Sequence, residues 1–270
     1  MLRDITIGQH FPGNSPVHTY DPRAKLLVTV AYIVMLFVAA NPVGLALSLL
    51  MLVGLYAVSA IPFKMIWKSL KPILPIIGFT AVLNLFFVTG TGDSVPLVRL
   101  GFIKIYAEGI EYAVLMAVRV VALIAGTSLL TYTTSPIVLT DAIEQLLKPL
   151  EKISMPVHEL AMMMTIALRF IPTLIEETDK IMSAQKARGA MLDSGSLKDR
   201  ISALVPVLIP LFISAFRRAD ELAMAMECRC YHGGAGRTRL KVLKFTKKDL
   251  TSTLVCCAGF AVILATRFWF

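Results

Sequence analysis

Apolar positions dominate the first half of the chain in long unbroken blocks, unlike the short alternations of a soluble core. From Leu26 to Phe63 there is no Asp, Glu, Lys or Arg. A bilayer crossing needs about 20 such residues. The block therefore predicts two spans, about 24–40 and 43–60, divided by a turn at Asn41-Pro42. The next segment, "PFKMIWKSLKP", sets Lys64, Lys68 and Lys71 on an amphipathic connector, with Lys64 and Lys68 one turn apart. Pro72 to Gly92 is again uncharged and predicts a third span. Residues 93–109 are polar, with several glycines, and predict a loop. A fourth span follows over about 110–133.

From residue 134 the pattern changes to a helical period with charges every few positions. Ser135-Pro136 supplies a helix start, and the first helix is expected to run to about Ile153, disturbed near Pro149. A second runs from Pro156 to Arg188. Leu160, Met164, Ala167, Ile171, Leu174, Thr178 and Ile181 form its apolar stripe, and Arg169, Thr173, Glu176, Lys180 and Ser183 its polar one. A third is expected to begin at Ser196, with Asp199 completing a capping box, and to end near Cys230. Its uncharged part, Ile201 to Phe216, contains Pro206 and Pro210 and is closed by Arg217, Arg218, Asp220 and Glu221. That favours a helix lying against the membrane base over one that crosses. Thr246-x-x-Asp249 caps a last apolar segment, Leu250 to Thr266, which returns through the bilayer, and "RFWF" places aromatics at the far interface.

Composition agrees with a membrane protein. Over 270 residues the hydrophobic content is 56% and the mean hydropathy +0.72. The net charge is +9, and most of the 27 lysines and arginines lie between residues 134 and 248. In a membrane protein such a block marks a cytoplasmic segment better than nucleic-acid binding. The same rule places the N-terminus in the cytoplasm. The first 25 residues carry Arg3, Asp4, Asp21 and Arg23 and do not read as a cleavable signal. Four regions follow: an N-terminal lead (1–23), a membrane domain of four spans (24–133), a cytoplasmic domain (134–247) and a last transmembrane helix (248–270). The fold class is an all-α membrane protein of about five spans with long, crossed amphipathic helices. Arg119, inside the fourth span, is expected to snorkel or to make a structural contact.

Catalytic chemistry has no visible constellation. There is no nucleotide loop, no His/Glu zinc pattern and no nucleophile with a base at motif spacing. The cysteines, Cys228, Cys230, Cys256 and Cys257, match neither a disulfide framework nor a common zinc spacing. No catalytic residue, metal site or bound cofactor is expected in this chain.

One pattern occurs twice. "DKIMSAQKARGA" ends on Ala187-Arg188-Gly189, and "DELAMAMECRCY" ends on Cys228-Arg229-Cys230. Asp179 and Asp220 stand equally far before their arginines, as do Ala184 and Ala225. A cation in a last helical turn followed by glycine is ordinary capping. Capping explains the second copy less well, because cysteine is a poor left-handed residue. Small residues on both sides instead let a helix tip enter a narrow groove, with a guanidinium fork leading. Two such tips predict two similar partner grooves. More than half of the 13 methionines fall in the same block, which suits either an adaptable partner surface or gap-filling between crossed helices.

"YDPRAKLL", "ALRFIPTLIEE", "AQKARGA", "RRADELAMAME" and "CYHGGAGRTRL" together resemble the T component of energy-coupling factor transporters, an ATP-binding-cassette importer class, over nearly the whole chain. The resemblance implies a scaffold in the bacterial cell membrane that takes no part in catalysis. It implies two ABC-type ATPase subunits, which bind ATP and receive Arg188 and Arg229 with their neighbours Ala187, Gly189, Cys228 and Cys230. It also implies a membrane-embedded S component that binds a vitamin or other micronutrient, and coupling helices that pass ATP-driven motion to it. No nucleic acid is implied. The rivals are a permease that binds its own solute, with Asn84 and Arg119 as the available polar groups, and an ion-coupled transporter, for which Glu108 and Glu111 sit at a span edge instead of inside.

Overall fold

The computed structural model describes residues 10–39, 41–87, 98–100, 103–153, 155–190, 197–234, 243, 245–269, apart from side chains in 98–100, 103–105, 197–200 and 268–269. Ten α-helices and one short hairpin appear among them. They are α1 (Pro16–Thr19), α2 (Pro22–Val38), α3 (Pro42–Ser59), α4 (Phe63–Leu70), α5 (Leu74–Phe87), β1 (Val98–Leu100), β2 (Ile103–Ile105), α6 (Ala107–Thr133), α7 (Pro136–Leu147), α8 (Val157–Ala187), α9 (Leu197–Glu227) and α10 (Lys247–Trp269). The protein is an all-α membrane protein with a minor antiparallel hairpin that pairs Arg99 with Lys104. Six helical stretches of the described residues are long and apolar enough to cross a bilayer: Pro42–Ser59, Phe63–Phe87, Ala107–Thr133, Val157–Ala187, Ile201–Glu227 and Lys247–Arg267. Helix α2 is shorter, at 17 residues, which still reaches ~25 Å.

Two compact units divide the chain. One comprises residues 8–139 and 243–270, the other 1–7 and 140–242.

In the first unit, α2, α3, α6 and α10 enclose the core, with Leu36, Tyr132 and Ile263 fully buried. Gly126 lets the Tyr32 ring lie against the α6 backbone, because a Cβ there would sit 2.5 Å from the ring. Helices α4 and α5, joined by a 3-10 turn at Lys71–Ile73, run along α6 in the opposite sense. Tyr132, at the end of α6, donates to the Met65 carbonyl (3.0 Å) and pairs with the Ser69 hydroxyl, while Ala81, Val82 and Leu85 face Ile110 to Ala117 near its start. Helix α6 starts at Ala107, inside the expected polar loop of residues 93–109, which also holds the hairpin strands.

A polar seam closes one end of this unit. Asp21 caps α2 through the Arg23 amide (2.9 Å), and the Arg23 guanidinium returns to the same carboxylate at 2.7 Å. Burial alone would raise the Asp21 pKa, but the Arg23 guanidinium and the backbone amides of Arg23 and Ala24 hold it below the ordinary 3.8. The Asp21 amide donates to Asp249 at the start of α10 (3.0 Å), and the Tyr20 and Thr253 hydroxyls pair at 2.6 Å. The buried Lys25 ammonium donates to the Thr133 carbonyl (3.2 Å) and Thr134 hydroxyl (3.0 Å) where α6 ends, a cation at a helix C-terminus. Asp249 also accepts from the Thr246 amide (2.7 Å), one half of the expected capping box, while the Asp249 amide donates to the Thr246 carbonyl (2.9 Å). The lead is tied down in turn. The Phe11 amide donates to the Tyr132 carbonyl (2.9 Å), and His18 Nε2 donates to the Phe11 carbonyl (3.1 Å) while Nδ1 accepts from Ser15 (2.7 Å). A carbonyl cannot donate, which fixes that tautomer.

At the other end of the unit, Arg119 donates to the Ala39 carbonyl at 2.9 Å. It caps the end of α2, which is the structural contact expected of it.

In the second unit the predicted break near Pro149 is a 3-10 segment, Lys148–Ile153. Pro172 lies within α8, and Pro206 and Pro210 within α9. Pro210 has no N–H to bond the Pro206 carbonyl one turn back. The Gln185 amide of α8 donates to that freed carbonyl instead, at 3.2 Å. Nearer the other end, Arg218 of α9 donates to Glu177 of α8 at 2.6 Å. Stepping forward from Glu177 to Gln185 thus corresponds to stepping back from Arg218 to Pro206, so α8 and α9 run in opposite senses. After α9 the chain folds over His158 at the start of α8: a Cβ on Gly234 would lie 2.5 Å from the ring, whose Nδ1 meets Glu144 of α7 at 3.0 Å. The expected capping pair Ser196 and Asp199 lies outside the described residues and side chains.

Candidate functional site

The two arginines occupy the same backbone position. At the end of α8, Arg188 is the C-cap, its amide reaching the carbonyls of Ala184 (3.2 Å) and Gln185 (3.1 Å). Gly189 turns left-handed at φ 86, its amide bonds the Lys186 carbonyl (3.0 Å), and the Ala190 amide bonds that of Gln185 (3.0 Å). These crossed bonds form a Schellman cap. At the end of α9 the Cys230 amide bonds the Glu227 carbonyl (2.8 Å) and the Tyr231 amide that of Met226 (3.1 Å). The register is identical, with Arg229 at the cap and Cys230 in the left-handed place at φ 56.

This corrects one sequence expectation. Cysteine is a poor left-handed residue, yet Cys230 adopts that conformation and the second end is capped as fully as the first. An L-residue there costs about 1–2 kcal/mol that glycine does not. Capping and arginine presentation are therefore the same device. The cap satisfies the backbone and turns the chain just after each arginine. Ala187, Arg188, Gly189, Cys228, Arg229 and Cys230 are all exposed, and neither guanidinium has a partner among the described residues.

A further pair belongs to the arrangement. Glu177 and Arg218 are separated by 41 residues, the interval between the two arginines. They are the equivalent positions of the two copies. Each cap consequently lies ~16 Å along its own helix from one shared ion pair, at 1.5 Å per residue. Because the helices run in opposite senses, the guanidiniums sit at opposite ends of the pair, on arms of equal length. The signal was present in the sequence as an acidic and a basic residue at matching places in the repeat, but the repeat alone does not say that they touch.

What this construction offers chemically is two separated, always-charged forks for bidentate bonding to carboxylates or backbone carbonyls. The two polar side chains that a solute-binding permease would use each donate to a backbone carbonyl of the chain. Asn84 donates to the Thr80 carbonyl (2.8 Å) and Arg119 to Ala39.

Comparison with known proteins gives a consistent picture. The family of CbiQ cobalt transport proteins matches residues 13–240. A Clostridium kluyveri protein, described as energy-coupling factor transporter transmembrane protein EcfT, is 54% identical over 269 residues, covering 100% of this chain and 99% of its own. Proteins of the same description from Ruminiclostridium cellulolyticum (53% over 266 residues, 98% and 96% coverage) and Bacillus subtilis (47% over 264 residues, 98% and 98%) are similar throughout.

Proposed function

Because the chain belongs to the family of energy-coupling factor transporter transmembrane proteins, we propose that it is the scaffold and force-transmitting subunit of such an importer. Its role as a membrane transport component follows from the family. The finer assignment is that Arg188 and Arg229, each with its small neighbours, dock into grooves on two cytosolic ABC-type ATPase subunits. Helices α8 and α9 then pass the ATP-driven movement of those grooves to a membrane-embedded S component that carries a vitamin or other micronutrient. The observation that carries this reading is the pair of arginine-bearing caps at opposite ends of two opposed helices, equidistant from the Glu177–Arg218 bridge. One lever with two equal arms suits two similar motors.

In this reading the chain performs no catalysis and binds no cofactor; ATP belongs to the partner ATPases. The N-terminus and the segment 134–247 face the cytoplasm, and α2, α3, the α4–α5 rod, α6 and α10 cross the membrane. Helices α8 and α9 are long and apolar enough to span, but α8 carries Arg169, Glu176 and Lys180 in its interior, and the uncharged part of α9, Ile201 to Phe216, is closed by Arg217, Arg218, Asp220 and Glu221. That pattern suits helices which bury one face against membrane partners and present the other to cytosolic ones. A permease that binds its own solute is disfavoured because Asn84 and Arg119 each already donate to a backbone carbonyl of this chain.

The test is docking. Arg188→Ala and Arg229→Ala should each weaken ATPase binding by roughly 2–4 kcal/mol, as buried charge contacts at interfaces do. Arg→Lys should lose much of the same, because an ammonium has no fork. Each side chain is exposed in the free chain, so folding should change by no more than about 1 kcal/mol. Co-purification of either alanine variant with both ATPases at parental yield would remove the docking assignment.

A further inference from the structure

The first two turns of the α4–α5 rod carry chemistry that the coupling reading leaves unused. Lys64, Lys68 and Lys71 follow one another at intervals of four and three, which puts them on one helical face over ~11 Å of axis. All three are exposed. None has a hydrogen-bonding or ionic partner among the described residues, and the sequence has no Asp or Glu between Pro22 and Gly92 to supply one. A second face of the same turns presents Phe63, 74% exposed, and Trp67, 52% exposed, one turn apart. The third face is spoken for, since Met65 and Ile66 pack on the core. Beyond Ile73 the rod is uncharged to Phe87, and none of α5 is buried.

We infer that this lysine face is a binding site for the headgroups of anionic phospholipids. Three observations select that occupant. The unneutralised charge is concentrated at one end of an apolar, lipid-length rod, where a headgroup layer begins. Tryptophan and phenylalanine stand at the same level, as interfacial aromatics do. The lysine face also continues along α5 into Pro75, Gly78 and Phe79, which are exposed among the described residues, so a phosphate at the lysines and an acyl chain along α5 belong to one molecule. An acidic protein surface would satisfy the lysines but would leave the aromatic pair and the apolar continuation without a reason to adjoin them. Lysines with (CH2)4 stems reach a phosphate layer without moving the backbone.

Trp67 reports on the site directly, because the chain has only 2 tryptophans. The Trp269→Phe chain would be reconstituted in phosphatidylcholine–phosphatidylglycerol bilayers in which one lipid or the other carries brominated acyl chains, which quench tryptophan on contact. Trp67 should be quenched by brominated phosphatidylglycerol as though that lipid were about fivefold enriched at the site over its bulk fraction. Adding Lys64→Gln, Lys68→Gln and Lys71→Gln should bring the enrichment to near unity, with quenching by phosphatidylcholine retained as proof that the rod is still inserted. Equal quenching by the two lipids in the parent, or an enrichment that survives the triple substitution, would overturn the inference. So would an enrichment seen in the isolated chain that disappears in the assembled transporter, since a protein partner would then own the lysines.

Discussion

Exchanging the residues in the two left-handed caps separates backbone presentation from side-chain contact. Gly189 stands at φ 86 with nothing within 4 Å of where a Cβ would be. Gly189→Ala therefore meets no neighbour and costs only conformational energy. Cys230 at φ 56 already bears that strain. Left-handed backbone costs an L-residue about 1–2 kcal/mol, while glycine gives back about 0.4–1 kcal/mol through the freedom of the unfolded chain. Cys230→Gly should thus strengthen the end of α9 by ~1 kcal/mol, and Gly189→Ala should weaken the end of α8 by a similar amount. Such a change alters local opening by about fivefold. Hydrogen exchange on the full-length protein should show slower exchange for the Cys230→Gly variant at the residue 230 and Tyr231 amides, and faster exchange for Gly189→Ala at the residue 189 and Ala190 amides. If the caps exist to hold the arginines, Cys230→Gly binds the ATPases as the parent does. Tenfold weaker binding together with slower exchange would show that the thiol itself makes a contact and that the backbone argument is incomplete. Unchanged exchange in both variants would refute the left-handed account of the caps altogether.

The Glu177–Arg218 bridge is partly exposed, 27% and 30% for the two side chains, so its stabilisation is that of a surface pair, no more than about 1 kcal/mol. Glu177→Arg and Arg218→Glu should each reduce uptake, and the double exchange should restore much of it; a double variant as defective as the worse single one would show that the contact does not set the arms. In the lead, burial lowers the His18 pKa below 6.5, the Phe11 carbonyl opposes that shift, and Lys25 and His10 add to it. The unfolded lead then binds protons more readily than the folded one. This contribution to stability is complete above pH 6.5 and fades as pH falls through the depressed value. Hydrogen exchange of the peptide covering residues 10–20, corrected for the intrinsic rate, should show protection decreasing from pH 7.5 to 5.5, and increasing protection would contradict the assignment.

Helix positions were legible because each has a local cause. Prolines at 22, 42 and 136 open helices, uncharged runs mark spans, and Thr246 with Asp249 caps the last one. What the sequence withheld was chiefly pairing at a distance. "YDPRAKLL" gave no sign that Asp21 and Lys25 fasten three chain segments together, because their partners Asp249, Thr133 and Thr134 are more than a hundred residues away. Arg119 could be read as snorkelling or as a contact, and only the position of the Ala39 carbonyl decides. At the arginines, the repeat was visible but its backbone equivalence was not. Residue preference argued against a left-handed cysteine, and the local cap bonds of the Cys230 and Tyr231 amides outweighed it. The antiparallel sense of α8 and α9, and with it the placing of the arginines at opposite ends, depends on two side-chain bonds that no periodicity encodes.

The seam between α2 and α10 has a consequence for how the protein is made. Helix α10 completes the core around α2 and α3, yet the ribosome reaches it only after the whole of residues 140–242. At usual elongation rates that interval lasts ~5–20 s. For that time Asp21 lacks Asp249, and the flank of α3 that Ile263 will cover has no neighbour from its own chain. The nascent protein thus holds an open slot in the membrane until its last helix emerges.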